Sequence, residues 1–219
     1  KDDPAADLLS PVTVRNWIQK VSMFFRWAQD RGYVRRNPAR GVFVKVPPRS
    51  AKPALTVEQL TKLIAACTGV LKDLVLLLVN TGLRIGEALR LKAEDFDRAA
   101  GTLRVLNTKG NRYDTMRVNE VVVEVLHRRT LQSGGGHLFQ SSTGTPLERR
   151  NIRRDLIAAG KKAGLKVTGA QQLRRSYCTA LATRVQAAQL KDLARHRDIR
   201  TTMAFYVDLP AAVAPIIAS

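Results

Sequence analysis

Apolar residues recur every three or four positions over most of this chain, which is the spacing that places them on one face of a helix. Residues 12–31 show the pattern clearly, behind Ser10 as an N-cap and a proline at position 11. The continuous apolar run from Leu74 to Val79 predicts a buried helix instead. Further helices are predicted after Thr56, where Gln59 completes a capping box, from Ile85 to Leu89, and over residues 120–130, 147–163 and 171–185.

One stretch interrupts the helical pattern. Residues 102–106 and 113–118 have the composition of short strands, and residues 107–112, Asn-Thr-Lys-Gly-Asn-Arg, are typical of a hairpin turn. The predicted fold class is therefore mainly α, with one small antiparallel β-hairpin or sheet.

A basic, proline-rich segment divides the chain. Pro47, Pro48 and Pro53 exclude a regular helix there. We therefore expect residues 1–46 to form part of a small helical domain, residues 47–53 to form a linker, and residues 54–219 to form a larger domain.

The charge of the chain is its unusual bulk property. Lys and Arg number 37 against 18 Asp and Glu, a net charge of +19, which favours a polyanion such as nucleic acid over an anionic membrane. No apolar stretch approaches the roughly 20 residues that cross a bilayer, and no signal-peptide pattern is present. We expect a cytoplasmic protein with no membrane partner.

The cysteines and histidines give no sign of a metal site. Cys67 and Cys178 are far apart and lack the spacing of metal ligands, so we expect them to be reduced thiols in the core. The three histidines form no cluster in the sequence, and no metal site is predicted.

Basic residues concentrate around the first predicted helix and along residues 147–163. Any single arginine there is explained by a solvated helix face, but a set with so few acids nearby favours a surface that follows DNA phosphates. The predicted DNA-binding residues are Arg15, Arg26, Arg35, Arg36, Arg149, Arg150, Arg153, Arg154 and Arg175.

Arg84 lies in the stretch 81–87, Thr-Gly-Leu-Arg-Ile-Gly-Glu. Gly82 is expected to end the buried helix, which leaves Arg84 immediately before the next helix. An arginine held at such a junction can bind a phosphate through two parallel hydrogen bonds. The alternative is an ordinary surface ion pair with Glu87, three residues further on.

Four motifs occur in order between Leu55 and Val207. They are the stretch 81–87, the hairpin lysine Lys109, the box Gln171-Gln172-Leu173-Arg174, and Arg195-His196 followed by Thr201-Thr202 and Tyr206. In this order the motifs resemble those of the tyrosine recombinases, a family that includes phage integrases and Xer-type recombinases. The resemblance implies that residues 54–219 form the catalytic fold and that residues 1–46 are part of a helical, SAM-like core-binding domain.

The resemblance also implies a reaction. In this family a tyrosine hydroxyl attacks a DNA phosphodiester and forms a 3′-phosphotyrosine bond, and the free 5′-hydroxyl of a second strand later reverses the step without any metal or other cofactor. Arg84 and Arg174 would clamp the phosphate. Lys109 would protonate the leaving 5′-oxygen, and His196 would donate a hydrogen bond to the phosphate. Glu87 would orient an arginine. The alternatives are a merely solvated turn residue for Lys109 and a helix-capping or core histidine for His196.

Two positions depart from the family pattern. The box that usually begins with histidine begins with Gln171, which donates hydrogen bonds but cannot act as a general base at neutral pH. The usual nucleophile falls nine residues after the histidine, at Phe205 here, whereas some members place it ten residues after, at Tyr206. We predict Tyr206 as the nucleophile because it is the phenol of the motif. The alternative is a core-facing Tyr206, with position 205 carrying an engineered Tyr→Phe substitution that traps the protein before cleavage.

Together these features predict a site-specific recombinase or integrase of a mobile genetic element. It would act on a double-stranded recombination site as a homo-oligomer, a dimer to a tetramer, and would associate with the nucleoid. One alternative is a DNA-binding member of the same fold with impaired catalysis, as the departures at Gln171 and Phe205 suggest. The other is a type IB topoisomerase, which performs similar chemistry as a monomer.

Overall fold

A computed structural model describes residues 9–47, 53–107, 112–141, 143–196 and 198–206. Contacts divide the chain into two units, Lys1–Ala51 and Lys52–Ser219. The boundaries expected from the sequence lie within a few residues of this division, and the assignment of each part to a domain type remains a prediction.

The first unit is built on helix α1 (Pro11–Asp30). The hydroxyl of Ser10 accepts a hydrogen bond from the backbone N–H of Thr13 at 3.2 Å, which confirms the predicted cap. Several large apolar side chains of α1 are exposed. They are Trp17, Val21, Met23, Phe24 and Trp27.

After α1 the chain folds back on the helix through Asn37. The Asn37 amide donates to the carbonyl and the hydroxyl of Ser22, both at 3.0 Å. Residues 34–39 suggest, from the sequence alone, a turn followed by a short helix; that helix is wrong, because residues 38–41 form a turn. The Asn37 side chain caps this turn by accepting from the N–H of Ala39 at 2.9 Å, and Gly41, with φ +83°, ends it before a second turn forms.

The second unit is mainly helical with one small sheet. Its helices are α2 (Val57–Ala66), α3 (Gly69–Thr81), α4 (Ile85–Ala88), a 3-10 turn (Ala93–Asp95), α5 (Glu120–Ser133), α6 (Arg149–Lys162), α7 (Ala170–Ala182), α8 (Ala187–Leu193) and α9 (Ile199–Met203). The strands β1 (Phe96–Asp97), β2 (Thr102–Asn107) and β3 (Arg112–Arg117) form an antiparallel sheet in the order β1-β2-β3, with Leu103 opposite Met116. The predicted fold class is confirmed.

Helix α3 is the centre of this unit and packs against α2, α5 and α7. Its residues Leu74, Val75, Leu77 and Leu78 are fully buried, as the apolar run predicts. This buried face packs on several helices at once, which fixes the position of α3. The turn that follows the C-terminus of α3 is therefore attached to a helix of the core.

Gly82 ends α3 with a left-handed backbone, φ +61°. A Cβ atom there would lie 2.3 Å from the ring of Tyr177 on α7. The position therefore requires glycine for its backbone conformation and for the close approach of α7. The turn carries the chain directly into α4, with Arg84 as the N-cap residue.

Two other local predictions concern this unit, the capping box of α2 and the turn of the hairpin. The capping box of α2 is confirmed, since Gln59 accepts from the N–H of Thr56 at 3.0 Å and Thr56 accepts in return at 3.3 Å. The tip of the predicted hairpin, with Lys109, lies outside the described residues. Of the helices that are described, none has the length and apolar character that a membrane span needs.

Candidate active site

Arg84 and Glu87 form the first part of the site, at the start of α4. The Glu87 carboxylate accepts from the Arg84 side chain (Nη1–Oε1, 2.9 Å) and from the Arg84 backbone N–H (N–Oε2, 2.9 Å). The Glu87 side chain is buried, whereas 47 % of the Arg84 side chain is exposed. The Arg84–Glu87 ion pair, which the sequence analysis gave as the alternative to phosphate binding, is therefore present. It also holds the half-exposed guanidinium of Arg84 in one orientation.

Arg174 enters the site from α7 and is almost fully buried. Its guanidinium donates to the carbonyls of Gly82 and Ala194, which joins the turn after α3 to the end of α8. Burial and then the positive charge of Arg84 lower the Arg174 pKa to about 10. The group therefore stays protonated at neutral pH and is fixed before any ligand arrives.

Arg195 is a third arginine at the site, and the sequence analysis assigned it no role. Its Nη2 lies 2.6 Å from Glu87 Oε2, and its Nη1 lies 3.4 Å from the sulfur of Met116 on β3. Only 12 % of its side chain is exposed. Burial lowers its pKa, and the Glu87 carboxylate opposes that shift. In the sequence, Arg195 could have been found as a site residue because it directly precedes the candidate His196.

His196 is buried beside this cluster. Its Nδ1 lies 2.9 Å from the hydroxyl of Thr202, and its ring stacks on Phe205 with centroids 5.9 Å apart and planes at 12°. Burial, followed by the charges of Arg174 and Arg84, lowers the His196 pKa to about 4. The imidazole is thus neutral at neutral pH. When the Thr202 hydroxyl donates to Nδ1, the ring proton is on Nε2, the tautomer that can donate to a phosphate.

The two candidate nucleophile positions have different surroundings. Phe205 is the residue in contact with the His196 ring. Both Phe205 and Tyr206 pack on the cluster formed by Cys178, Ala182, Leu190 and Ala194, but only the Tyr206 hydroxyl donates to the Val185 carbonyl, at 2.5 Å. Burial raises the Tyr206 pKa. The phenol is therefore engaged by backbone in this structure, and the choice between the two positions remains a prediction.

Two further predicted residues remain, Gln171 and Lys109. Gln171 is exposed in the first turn of α7. Its neighbour Gln172 is buried instead, accepting from the Thr168 N–H at 2.9 Å and donating to the Pro53 carbonyl at 3.1 Å. Lys109, the predicted general acid, is not among the described residues, so its position relative to Arg84 stays a prediction.

Helix α6 brings its first arginine to the same region. A Cβ atom at Gly86 would lie 2.2 Å from Nη2 of Arg149, so the Arg149 guanidinium lies against the backbone of α4. Three more arginines of α6 are exposed and line an open groove of about 590 Å³. Its lining residues are Glu148, Arg150, Asn151, Arg153, Arg154 and Ile157. The basic face predicted for this helix is thus continuous with the α4 turn that carries Arg84.

The remaining predicted DNA-binding residues are spread over both units. Arg26, Arg35 and Arg36 are exposed in the first unit, whereas Arg15 is half-buried on α1. Arg175 is half-buried on α7. Within the described ranges, no three His, Cys, Asp or Glu side chains are grouped so that they could hold a metal ion.

Comparison with known proteins identifies the family. Residues 53–212 match the model of the phage integrase family. Tyrosine recombinase XerA of Pyrococcus furiosus is 33% identical over 201 residues, which cover 86% of this chain and 67% of that protein. Tyrosine recombinase XerC of Xanthomonas campestris pv. campestris (strain B100) is 24% identical, covering 90% of this chain and 64% of that protein. The chain belongs to the phage integrase family of tyrosine recombinases, which confirms the resemblance drawn from its four motifs.

Solved structures show the same fold. The Tn1549 transposon integrase in complex with circular intermediate DNA superposes with a TM-score of 0.78 at 22% identity, covering 94% of this chain and 78% of that one. A lambda integrase dimer bound to a COC′ core site superposes with a TM-score of 0.74 at 19% identity, covering 89% of this chain and 59% of that one. This chain spans about two thirds or less of the length of the XerA and XerC relatives it matches.

Proposed function

We propose that this chain is the catalytic part of a site-specific DNA recombinase, which cleaves and rejoins strands through a 3′-phosphotyrosine intermediate. The observation that carries the proposal is the cluster of Arg84, Arg174 and Arg195, in which Glu87 pairs with Arg84 and Arg195, beside a neutral His196. Even with the charges of Glu87 and Asp114 acting on it, a cluster of three guanidinium groups keeps a net positive charge, which suits a phosphodiester.

The fixed orientation of these groups is what makes them suited to catalysis. During attack on a phosphodiester, additional negative charge develops on the non-bridging oxygens, and donors that are already oriented stabilise it without reorganising. Arg174 is oriented by two carbonyls and Arg84 by Glu87. Nε2 of His196 is a third donor when Thr202 occupies Nδ1.

The covalent step requires movement of the nucleophile. The Tyr206 oxygen forms a bond to phosphorus, the bond from phosphorus to the 5′-oxygen breaks, the phenolic proton leaves to solvent or a nearby base, and Lys109 supplies a proton to the 5′-oxygen. Because the Tyr206 hydroxyl is bound to the Val185 carbonyl, it must first exchange that bond for contact with the phosphate. We infer that DNA binding drives this exchange.

The proposed partner is a double-stranded recombination site. The basic face of α6, which begins with Arg149 beside α4, would follow the phosphates next to the cleavage point. Integrases of the same fold were solved with DNA, one as a dimer on its core site, which supports a homo-oligomer of two to four subunits on DNA here. Such a protein would work in the cytoplasm at the nucleoid.

A nicked suicide duplex tests the proposal. Duplexes selected for binding from a random pool would carry a nick near the cleavage position, so that the released fragment diffuses away and the covalent complex accumulates. We expect a covalent protein–DNA band on a denaturing gel for the native chain and for Tyr113→Phe, which removes an exposed phenol. Tyr206→Phe should abolish the band.

A second candidate function rests on the contact between Phe205 and His196. If Phe205 occupies a lost nucleophile position, the chain is a DNA-binding relative without cleavage. A band that forms only in Phe205→Tyr would establish this alternative and refute Tyr206 as the nucleophile. Relaxation of supercoiled plasmids that lack a selected site would favour the topoisomerase.

A further inference from the structure

Arg195 has an unusual backbone for its residue type. Among the residues described, it alone combines a side chain with a positive φ, at +51°. The left-handed region crowds the Cβ atom of any residue except glycine, so arginine is disfavoured there unless the surroundings stabilise it. A non-glycine residue held in this conformation points to a function of its side chain.

The local structure shows why the conformation is needed. The N–H of His196 donates to the carbonyl of Lys191 at 2.9 Å, and the N–H of Arg195 donates to that of Asp192 at 3.0 Å. This pair of bonds is the Schellman ending of helix α8, in which the left-handed position is normally glycine. Glycine would therefore satisfy the backbone at position 195, and the arginine must be explained by the contacts of its guanidinium.

Those contacts lead to Glu87. Arg195 binds Oε2 at 2.6 Å while Arg84 binds Oε1 at 2.9 Å, so one buried carboxylate lies between two guanidinium groups. With Arg84 alone, the pair would be neutral, and the carboxylate would offset the attraction of Arg84 for an anion. With Arg195 present, the three groups carry one net positive charge.

We propose that Arg195 is a positioning residue for phosphate binding: by pairing with Glu87, it fixes the carboxylate and leaves the charge of Arg84 available to the scissile phosphate. This proposal rests on the proposed recombinase function for the identity of the phosphate. The same turn directs the Ala194 carbonyl to Arg174 and the His196 ring to Thr202. The Arg195 side chain acts on Arg84 through Glu87.

The variant Arg195→Gly distinguishes a role of the Arg195 side chain in phosphate binding from a role in stabilising the fold. Glycine accepts the left-handed backbone, so the free energy of unfolding should not fall by more than the loss of one ion pair. We expect the single-turnover rate of covalent complex formation, at saturating protein, to fall about ten- to a hundredfold. Arg195→Lys, which keeps the charge, should recover part of the rate. Arg184→Gly is the matched control, since it removes an exposed arginine beyond the end of α7.

A double variant tests the charge argument. In Glu87→Gln/Arg195→Gly, the carboxylate that Arg195 offsets is gone, while the amide oxygen still accepts from Arg84. The double variant should therefore cleave faster than Arg195→Gly alone. A rate for Arg195→Gly equal to that of the native chain, or no recovery in the double variant, would overturn the proposal.

A second readout does not depend on cleavage. Binding of inorganic phosphate, followed by the NMR signals of the Arg84 and Arg174 side-chain N–H groups, should weaken about tenfold in Arg195→Gly and remain unchanged in Arg184→Gly. If the native chain forms no covalent complex but shows this difference, the proposed function fails and the role of Arg195 stands. Equal phosphate affinity in the two variants contradicts the role of Arg195, whatever the cleavage result.

Discussion

The depressed pKa of His196 predicts a measurable pH dependence of folding. The histidine is buried beside Arg174 and Arg84, and these surroundings lower its pKa from 6.5 to about 4. In the unfolded chain the imidazole would titrate near its ordinary value. Between the two pKa values the unfolded state therefore binds more protons than the folded state, and the stability of the fold rises with pH across that window.

The size of the effect follows from the two pKa values. Well below pH 4 the full difference, about 3 kcal/mol, is lost, because each pKa unit corresponds to 1.36 kcal/mol. Between pH 7.5 and pH 5 the same linkage gives a loss of about 2 kcal/mol. Above pH 7.5 both states hold a neutral imidazole, so no further change is expected from this group.

Urea unfolding at intervals from pH 5 to 7.5 would measure this loss, with His196→Gln as the matched variant. Glutamine has no proton to gain in this range and can still bond to Thr202. At each pH, the unfolding free energy of the variant is subtracted from that of the native chain. The contribution of the carboxylates, which titrate in both proteins, then cancels. The difference should increase by about 2 kcal/mol over the interval. A flat difference, or an NMR titration of His196 near 6.5, would refute the claim that burial and the arginines keep it neutral.

Three other substitutions test separate parts of the structure. Gly82→Ala should lower the free energy of unfolding by about 2–4 kcal/mol, measured by denaturant, because it forces a left-handed alanine against Tyr177. Gly86→Ala should displace the Arg149 guanidinium, leave unfolding almost unchanged, and reduce the salt dependence of DNA binding by about one phosphate contact; an unchanged slope would contradict it. Arg174→Lys should slow covalent complex formation about a hundredfold, with DNA affinity changed only a few-fold; a native rate would show that the paired contacts are dispensable.

Local patterns were sufficient for the parts of the fold that local interactions decide. The apolar run that became α3, the capping box at Thr56 and the strands on either side of Lys109 all depend on residues within a few positions of one another. The short helix suggested near Asn37 is wrong for a reason of the same kind. There Asn37 caps the first turn as it would cap a helix, but the left-handed Gly41 ends that turn at once, and residue composition does not distinguish the two outcomes.

Contacts between residues that are far apart in the chain could not be predicted from the sequence. Arg195 and Glu87 are separated by 108 positions, and their pairing depends on how α8 ends against α4. The approach of Arg149 to Gly86 and the bond from Tyr206 to Val185 are likewise consequences of packing. The resemblance to the family's motifs singled out Arg84, Arg174 and His196 as candidates, but only the three-dimensional structure shows that one carboxylate joins two arginines.

The site depends on two left-handed turns that meet at Arg174. One is at Gly82, whose own carbonyl accepts from the guanidinium, and the other is at Arg195, which follows the second acceptor, Ala194. A guanidinium has five N–H donors in a rigid plane, so bonds to two carbonyls fix the direction in which the rest of the group faces. Because those carbonyls belong to the ends of α3 and α8, a change in either turn should alter the cleavage rate and the stability together. Arg195→Gly should be the exception, since glycine preserves the turn and removes only the side-chain contacts with Glu87 and Met116.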